Sequence, residues 1–376
     1  MDKFKKIQIV RLALVGLVGS VIITGCSFRS MTGFFFGVNV NPVEMPLKRS
    51  FEPRKTDQKT KEIVNITHRF IDSLDAKQKQ ALLYELSDNA QRSNWSNFPE
   101  GMIPRGGLKL GEMTSKQREL LDDVLAQVLS EKGVQNIEYQ LAAEDTFEAG
   151  GMLKYGTDYF YVAILGTPSE TQPWMFQFGG HHLAINVTIY GADASFSPML
   201  TGGQPLNIRY KNQDVFITRD ETEAAQRLMS SLSGEQKAKA LRGEHAIDLL
   251  LGPGEYGTVV APEGLKGSEL SKEQKRLLVQ LITTRLGFIN PDDFSSTMAT
   301  VLAELDDTYF GWWGPTDKLG FAYFRVTGPS LVLEYSPQDD EGDATTEHAH
   351  SMYRNPKNDY GVSWIGKQNE IGKKDD

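Results

Sequence analysis

Apolar residues recur along this chain with two different periods, and the order of the two periods predicts its architecture. Leu120, Leu121, Val124, Leu125, Val128 and Leu129 fall as adjacent pairs every four residues, and Leu277, Leu278, Leu281 and Ile282 repeat the pattern. That spacing lines one face of a helix. Asp75 and Ser233 stand where an N-cap precedes a further helical run. Downstream, the stretch from Tyr159 to Pro168 and the stretch from Tyr309 to Pro315 are aromatic and β-branched and end at Gly/Pro turns, as strands do. Phe178 to Val187 and Val326 to Tyr335 read as two more strands. The expected class is α+β, with helices followed by a small antiparallel sheet, twice over.

The two occurrences align. Ser73, Leu74, Gln78 and Lys79 coincide with Ser231, Leu232, Gln236 and Lys237 at an offset of 158. Gly107-Leu108-Lys109 matches Gly264-Leu265-Lys266, and Gln117 matches Gln274, both at an offset of 157. The strand segments align at 148, a drift that loop deletions would produce. An internal duplication is therefore expected, with a first repeat over residues 60–210 and a second over 211–338. Residues 339–364 form an extension, and 365–376 a charged, aperiodic, loose tail.

The amino terminus has the layout of an export signal: Lys3, Lys5, Lys6 and Arg11, then an apolar run too short and glycine-broken for a spanning helix. Ile23-Thr24-Gly25-Cys26 resembles the lipobox of bacterial lipoproteins, whose cysteine is acylated. The resemblance implies a signal peptide over 1–25, lipidation of Cys26, a lipid-anchored tether over 26–59 and a place in the cell envelope. Ser27, where inner-membrane retention usually calls for aspartate, directs the expectation to the outer membrane. Cys26 is the only cysteine, so any metal ligands must be His, Asp, Glu or Met. Loss of four basic residues and Asp2 with the signal takes the net charge from −9 to −12, which argues against nucleic acid as a partner.

Four of the six histidines fall in two groups, His181-His182 and His348-x-His350. Imidazole is the commonest metal ligand, and two separated clusters are what a fold needs to close a site from two segments. If residues 181–190 form one strand, the pair points to opposite faces, and His182, with Ala184, Asn186 and Thr188, occupies the more polar one. In an extended segment His348, His350 and Met352 share a face. His182, His348 and His350 would leave a coordination position for water or substrate. Glu334, opposite Asn186 in the alignment, is a candidate fourth ligand or catalytic base. Arg354, Asp359 and Asn186 are candidates to orient ligands. The ordinary alternative is a set of histidines hydrogen-bonded in a polar cleft.

His68 and His245 sit in helical contexts and read as surface or cap residues. Asp339-Asp340-Glu341-Gly342-Asp343 lacks EF-hand spacing and reads as a solvated loop. Trp312-Trp313 reads as core more readily than as a pocket wall. No Gly-x-Ser-x-Gly or His-Glu-x-x-His motif is present, and no glycine cluster precedes Lys-Ser/Thr.

The Trp174-to-Leu183 stretch with Gly179-Gly180-His181-His182, Leu200-Thr201-Gly202-Gly203, Glu334-Tyr335-Ser336-Pro337 and His348-x-His350 followed by Tyr353-Arg354-Asn355-Pro356 resemble the family known as domain of unknown function 3500. The resemblance spans roughly Ile63 to Gly361 and implies no activity, substrate or cofactor. Asn355 stands where that family often has aspartate. Three function classes follow from the residues. One is an envelope protein binding copper or zinc, with Met352 beside the imidazoles favouring copper. Another is a metal-dependent hydrolase using Glu334 as base, or an oxygen-using enzyme with a two-histidine, one-carboxylate iron site. The third is a metal-free module recognising a sugar, peptide or partner protein.

Overall fold

The computed structural model describes residues 43–147, 153–338 and 347–367. Its class is α+β. Six longer helices, α1 (Gln58–Asp72), α2 (Ser115–Val128), α3 (Glu131–Glu144), α4 (Arg219–Ser231), α5 (Lys272–Leu286) and α6 (Pro291–Ala303), pack on a single thirteen-stranded sheet. Its eight principal strands are β1 (Tyr161–Leu165), β2 (Trp174–Gly180), β3 (Leu183–Tyr190), β4 (Met199–Gly203), β5 (Tyr309–Trp313), β6 (Tyr323–Gly328), β7 (Leu331–Pro337) and β8 (Ala349–Arg354).

The strands run in the order β1-β2-β3-β4-β8-β7-β6-β5 and pair antiparallel throughout. Two-residue turns join β2 to β3 and β6 to β7, because Gly180 pairs with Leu183 and Gly328 with Leu331. At each end a short segment adds in parallel, Leu83–Tyr84 on β1 and Leu241–Gly243 on β5. The order reads the same from either end. The β4–β8 pair is its centre, with Thr201 opposite Ser351 and Gly202 opposite His350. A side chain at Gly202 would put its Cβ 2.2 Å from the Ala349 carbonyl oxygen, so glycine lets these two strands close.

The residues that coincide between the two halves make the same bonds. Thr114 and Ser271 each cap a helix in a capping box with the glutamine three residues on. Gln117 Nε2 donates to the Ser73 carbonyl and Gln274 Nε2 to the Ser231 carbonyl, both at 2.9 Å. Gln78 Nε2 donates to Gln117 Oε1 at 3.1 Å, and Gln236 Nε2 to Gln274 Oε1 at 3.0 Å. Identical residues are thus found where one helix is tied to the next.

One sheet face carries Leu183, Ile185, Val187, Met199, Ala349 and Tyr353 into the main core under the helices. The other face carries Ala184, Leu200 and Met352 against Trp95, and Tyr190 into a separate cluster with Val43, Met45, Ile365 and, from the turn after β8, Tyr360. Trp312 and Trp313 are buried, as core residues.

Four expectations change. Residues 181–190 are not one strand: His181 and His182 form the β2–β3 turn, so face alternation does not separate them. The described part of the expected tether packs on the body, since Met45 is buried and Leu47 pairs with Gly366. The expected loose tail likewise starts late, because Ile365 is fully buried and Lys367 N donates to the Pro46 carbonyl. Cys26, the signal region and the acidic 339–343 loop lie outside the described residues. The supposed extension 339–364 contributes β8, the strand that joins the two halves of the sheet.

Candidate metal centre

The β2–β3 turn presents both of its side chains to one place. His182 takes φ 57°, in the left-handed region that histidine visits more readily than most residues but that costs about 1–2 kcal/mol against glycine. Only the second central residue has positive φ, so glycine or asparagine would be the ordinary choice there. The imidazole of His182 is therefore held at some expense to local stability. The turn is clamped by Arg105, whose Nη2 donates to the Gly180 carbonyl at 3.1 Å and to the Ser96 carbonyl at 2.9 Å.

β8 brings the second group. His350 is on the sheet face of Met352, opposite the helices, and His348 immediately precedes the strand. The Nε2 atoms of His182 and His348 are 2.9 Å apart, and those of His348 and His350 are 3.3 Å apart. The three residues' ligand atoms all lie within 4.8 Å of one another. Around a tetrahedral ion with nitrogens at about 2.0–2.1 Å, neighbouring nitrogens stand about 3.3 Å apart. The 3.3 Å separation matches two ligands on one ion, while 2.9 Å is shorter, at the length of an N–H···N hydrogen bond. Two ring nitrogens facing each other without a proton or cation between them repel.

The electrostatics agree with neutral imidazoles. Burial, reinforced by His181, His350, His348 and then Arg105, holds the His182 pKa well below its usual value. Burial, then His348 and His181, does the same to His350. Neutral imidazole is the metal-binding form. Asn97 Nδ2 stands 3.5 Å from His350 Nε2, while the Nδ1 atoms of His182 and His350 are buried without a hydrogen-bond partner.

His181 joins a second constellation. Its Nδ1 lies 2.9 Å and 3.1 Å from the two carboxylate oxygens of Glu144, the last residue of α3, and both side chains are buried. The His181 and His182 rings are tilted by 31°, with centroids 3.7 Å apart. Glu144, His181 and His182 also have ligand atoms within 4.8 Å of one another. Sequence reasoning missed Glu144. A signal existed: extending the alignment through α3 and α6 places Glu144 opposite Glu304, which accepts from Ser330 Oγ in the matching β6–β7 turn at 3.0 Å.

All four histidines line a cleft of about 580 Å³ that also takes in Asn97, Tyr155, Asp248 and Gln338. The other candidates serve elsewhere. Glu334 accepts from Leu250 N at 2.8 Å, Leu251 N at 2.9 Å and Tyr323 Oη at 2.6 Å, and belongs to neither ligand group. It anchors the loop that lines the cleft, and its proposed ligand or base role falls away. Arg354 pairs with Asp359 and donates to the Leu251 and Gly252 carbonyls, both at 2.9 Å, holding the same loop from beneath. Asn186 accepts from Gln177 Nε2 at 2.8 Å and donates to the Pro198 carbonyl at 3.0 Å, so it ties strands and touches no histidine. Met352 packs in the apolar cluster with Trp95 and Leu200, which withdraws the argument for copper over zinc. His68 and His245 are exposed on other segments.

A family model described as "Protein of unknown function (DUF3500)" matches residues 56–362. No curated protein and no solved structure matches the chain.

Proposed function

The chain belongs to the DUF3500 family, and we propose that it holds a transition-metal ion, zinc or copper, through His182, His348 and His350. The observation that carries this is the convergence of three buried or half-buried imidazoles, from segments 166 residues apart, with ring nitrogens facing one another at 2.9 and 3.3 Å. Zinc and copper(II) both accept imidazole nitrogen, and a three-histidine set leaves a coordination position. An iron site built on Glu334 has no support, because that carboxylate is spent on Leu250, Leu251 and Tyr323.

The export-type amino terminus supports a place in the cell envelope, with Cys26 lipidated and the body held at the outer membrane. Binding of the ion and its presentation at the envelope is the function proposed. A second reading, metal-assisted hydrolysis, is favoured by one observation: the imidazoles line a cleft large enough for a small organic ligand beside the open coordination position.

The test is elemental analysis of the full chain, purified without an affinity tag from a bacterial envelope. Zinc or copper that falls by at least one equivalent when His348→Ala and His350→Ala are combined supports the site. A protein that carries no metal and takes up none on addition of zinc or copper(II) salts overturns it.

A further inference from the structure

Glu144 and His181 are left over once the three-imidazole site is assigned, and their placement is costly without a cation. Glu144 is 3 % exposed at the carbonyl end of α3, where the helix dipole disfavours an anion. Both of its oxygens face the same nitrogen, His181 Nδ1, at 2.9 and 3.1 Å. A single N–H can be directed well at only one of them. Ligands about 2.0–2.2 Å from a tetrahedral ion stand about 3.4 Å from each other, so a few tenths of an ångström of movement would admit an ion between Glu144 and His181.

His182 completes the set. Its Nε2 is taken by the approach to His348, whereas its Nδ1 is buried and has no hydrogen-bond partner. Outer nitrogens of metal-bound histidines are almost always bonded to a carboxylate, carbonyl or water, so an orphan there calls for an occupant. Glu144, His181 and His182 are each more than nine-tenths buried and have ligand atoms within 4.8 Å of one another.

We infer that the protein has a second metal site, formed by Glu144, His181 and His182, so that His182 is shared and the centre holds two ions. This rests on the reading of His182, His348 and His350 as the first site. His182 then offers Nε2 to one ion and Nδ1 to the other, its remaining ring proton passing to solvent as the second ion enters. The carboxylate and two imidazoles suit a divalent zinc or copper ion. The second ion neutralises Glu144 at the helix end and fixes the strained turn from its other side.

The experiment is a titration of the metal-free full chain with zinc chloride, with bound zinc counted after gel filtration, repeated with copper(II) chloride under electron paramagnetic resonance. Two equivalents are expected in the unaltered chain, and a copper signal broadened or diminished by coupling between the ions. Glu144→Gln, which keeps the side-chain shape, should weaken the second equivalent by ~100-fold or more and leave one. His181→Asn should do the same and serves if the first variant misfolds. One equivalent in the unaltered chain, unchanged by Glu144→Gln, overturns the second site and leaves the first standing. Two equivalents that survive both variants place the second ion elsewhere and overturn it too. No binding at all removes both sites.

Discussion

The Nε2 atoms of His182 and His348 stand 2.9 Å apart although 166 residues separate them in the chain. His182 reaches that point from a hairpin turn, and His348 from the residue before the central strand. Removing either imidazole therefore removes a ligand without touching the apolar core on the helix side of the sheet. His348→Ala should lower metal affinity by more than the roughly 10–100-fold of an outer-shell change, with an unaltered circular dichroism spectrum. Retention of the metal at wild-type affinity would contradict the assignment.

The turn itself separates chemistry from conformation. His182→Asn keeps a residue that tolerates φ 57°, whereas His182→Val forces a β-branched side chain into the left-handed region. Both variants should lose the metal. In the metal-free state only His182→Val should be destabilised, by about 1–2 kcal/mol in urea unfolding. Equal stabilities would show that the left-handed conformation of the turn is not under strain.

Acid should weaken the metal-free fold through the same residues. The folded-state pKa values of His182 and His350 lie well below 6.5, chiefly through burial. As pH falls through about 6.5 the unfolded chain takes up protons on these rings and the folded chain does not. Stability is thus fully present above that pH and is lost below it, by up to ~1.4 kcal/mol per pH unit for each group. Urea unfolding of the wild type and the His182→Asn, His350→Gln double variant at pH 8, 7, 6 and 5 checks this. The double variant should show the shallower dependence, and identical slopes would refute the cause.

Much of the fold was legible because helix and strand periods are local properties of the chain. The coinciding glutamines, Gln78 with Gln236 and Gln117 with Gln274, marked where helices are tied together. The site was legible only in part. His182, His348 and His350 could be grouped from their clustering, but the turn at His181-His182 was hidden, since a two-residue hairpin without Asn or Gly continues the strand pattern on either side. Glu144 was passed over because a carboxylate near a helix end usually faces solvent; its match to Glu304 marks the position, and the contact with His181 gives it meaning. Glu334 misled for the opposite reason. A carboxylate in a strand looked like a ligand, whereas it satisfies two backbone N–H groups of the 250–251 loop.

That structural role for Glu334 has its own test. Glu334→Ala leaves the buried Leu251 N and Tyr323 Oη without their acceptor, at about 1–3 kcal/mol each, whereas the part-buried Leu250 N can turn to water. The variant should lose at least ~2 kcal/mol of stability while keeping its metal content at low temperature. Metal loss with full stability would return Glu334 to the ligand set.

The most direct test of the metal centre is an anomalous-difference map from crystals of the zinc-loaded protein, recorded on either side of the zinc absorption edge. A peak about 2.0–2.1 Å from the Nε2 atoms of His182, His348 and His350 is the predicted result. A map with no peak at these imidazoles, or with zinc only at exposed carboxylates, would contradict it.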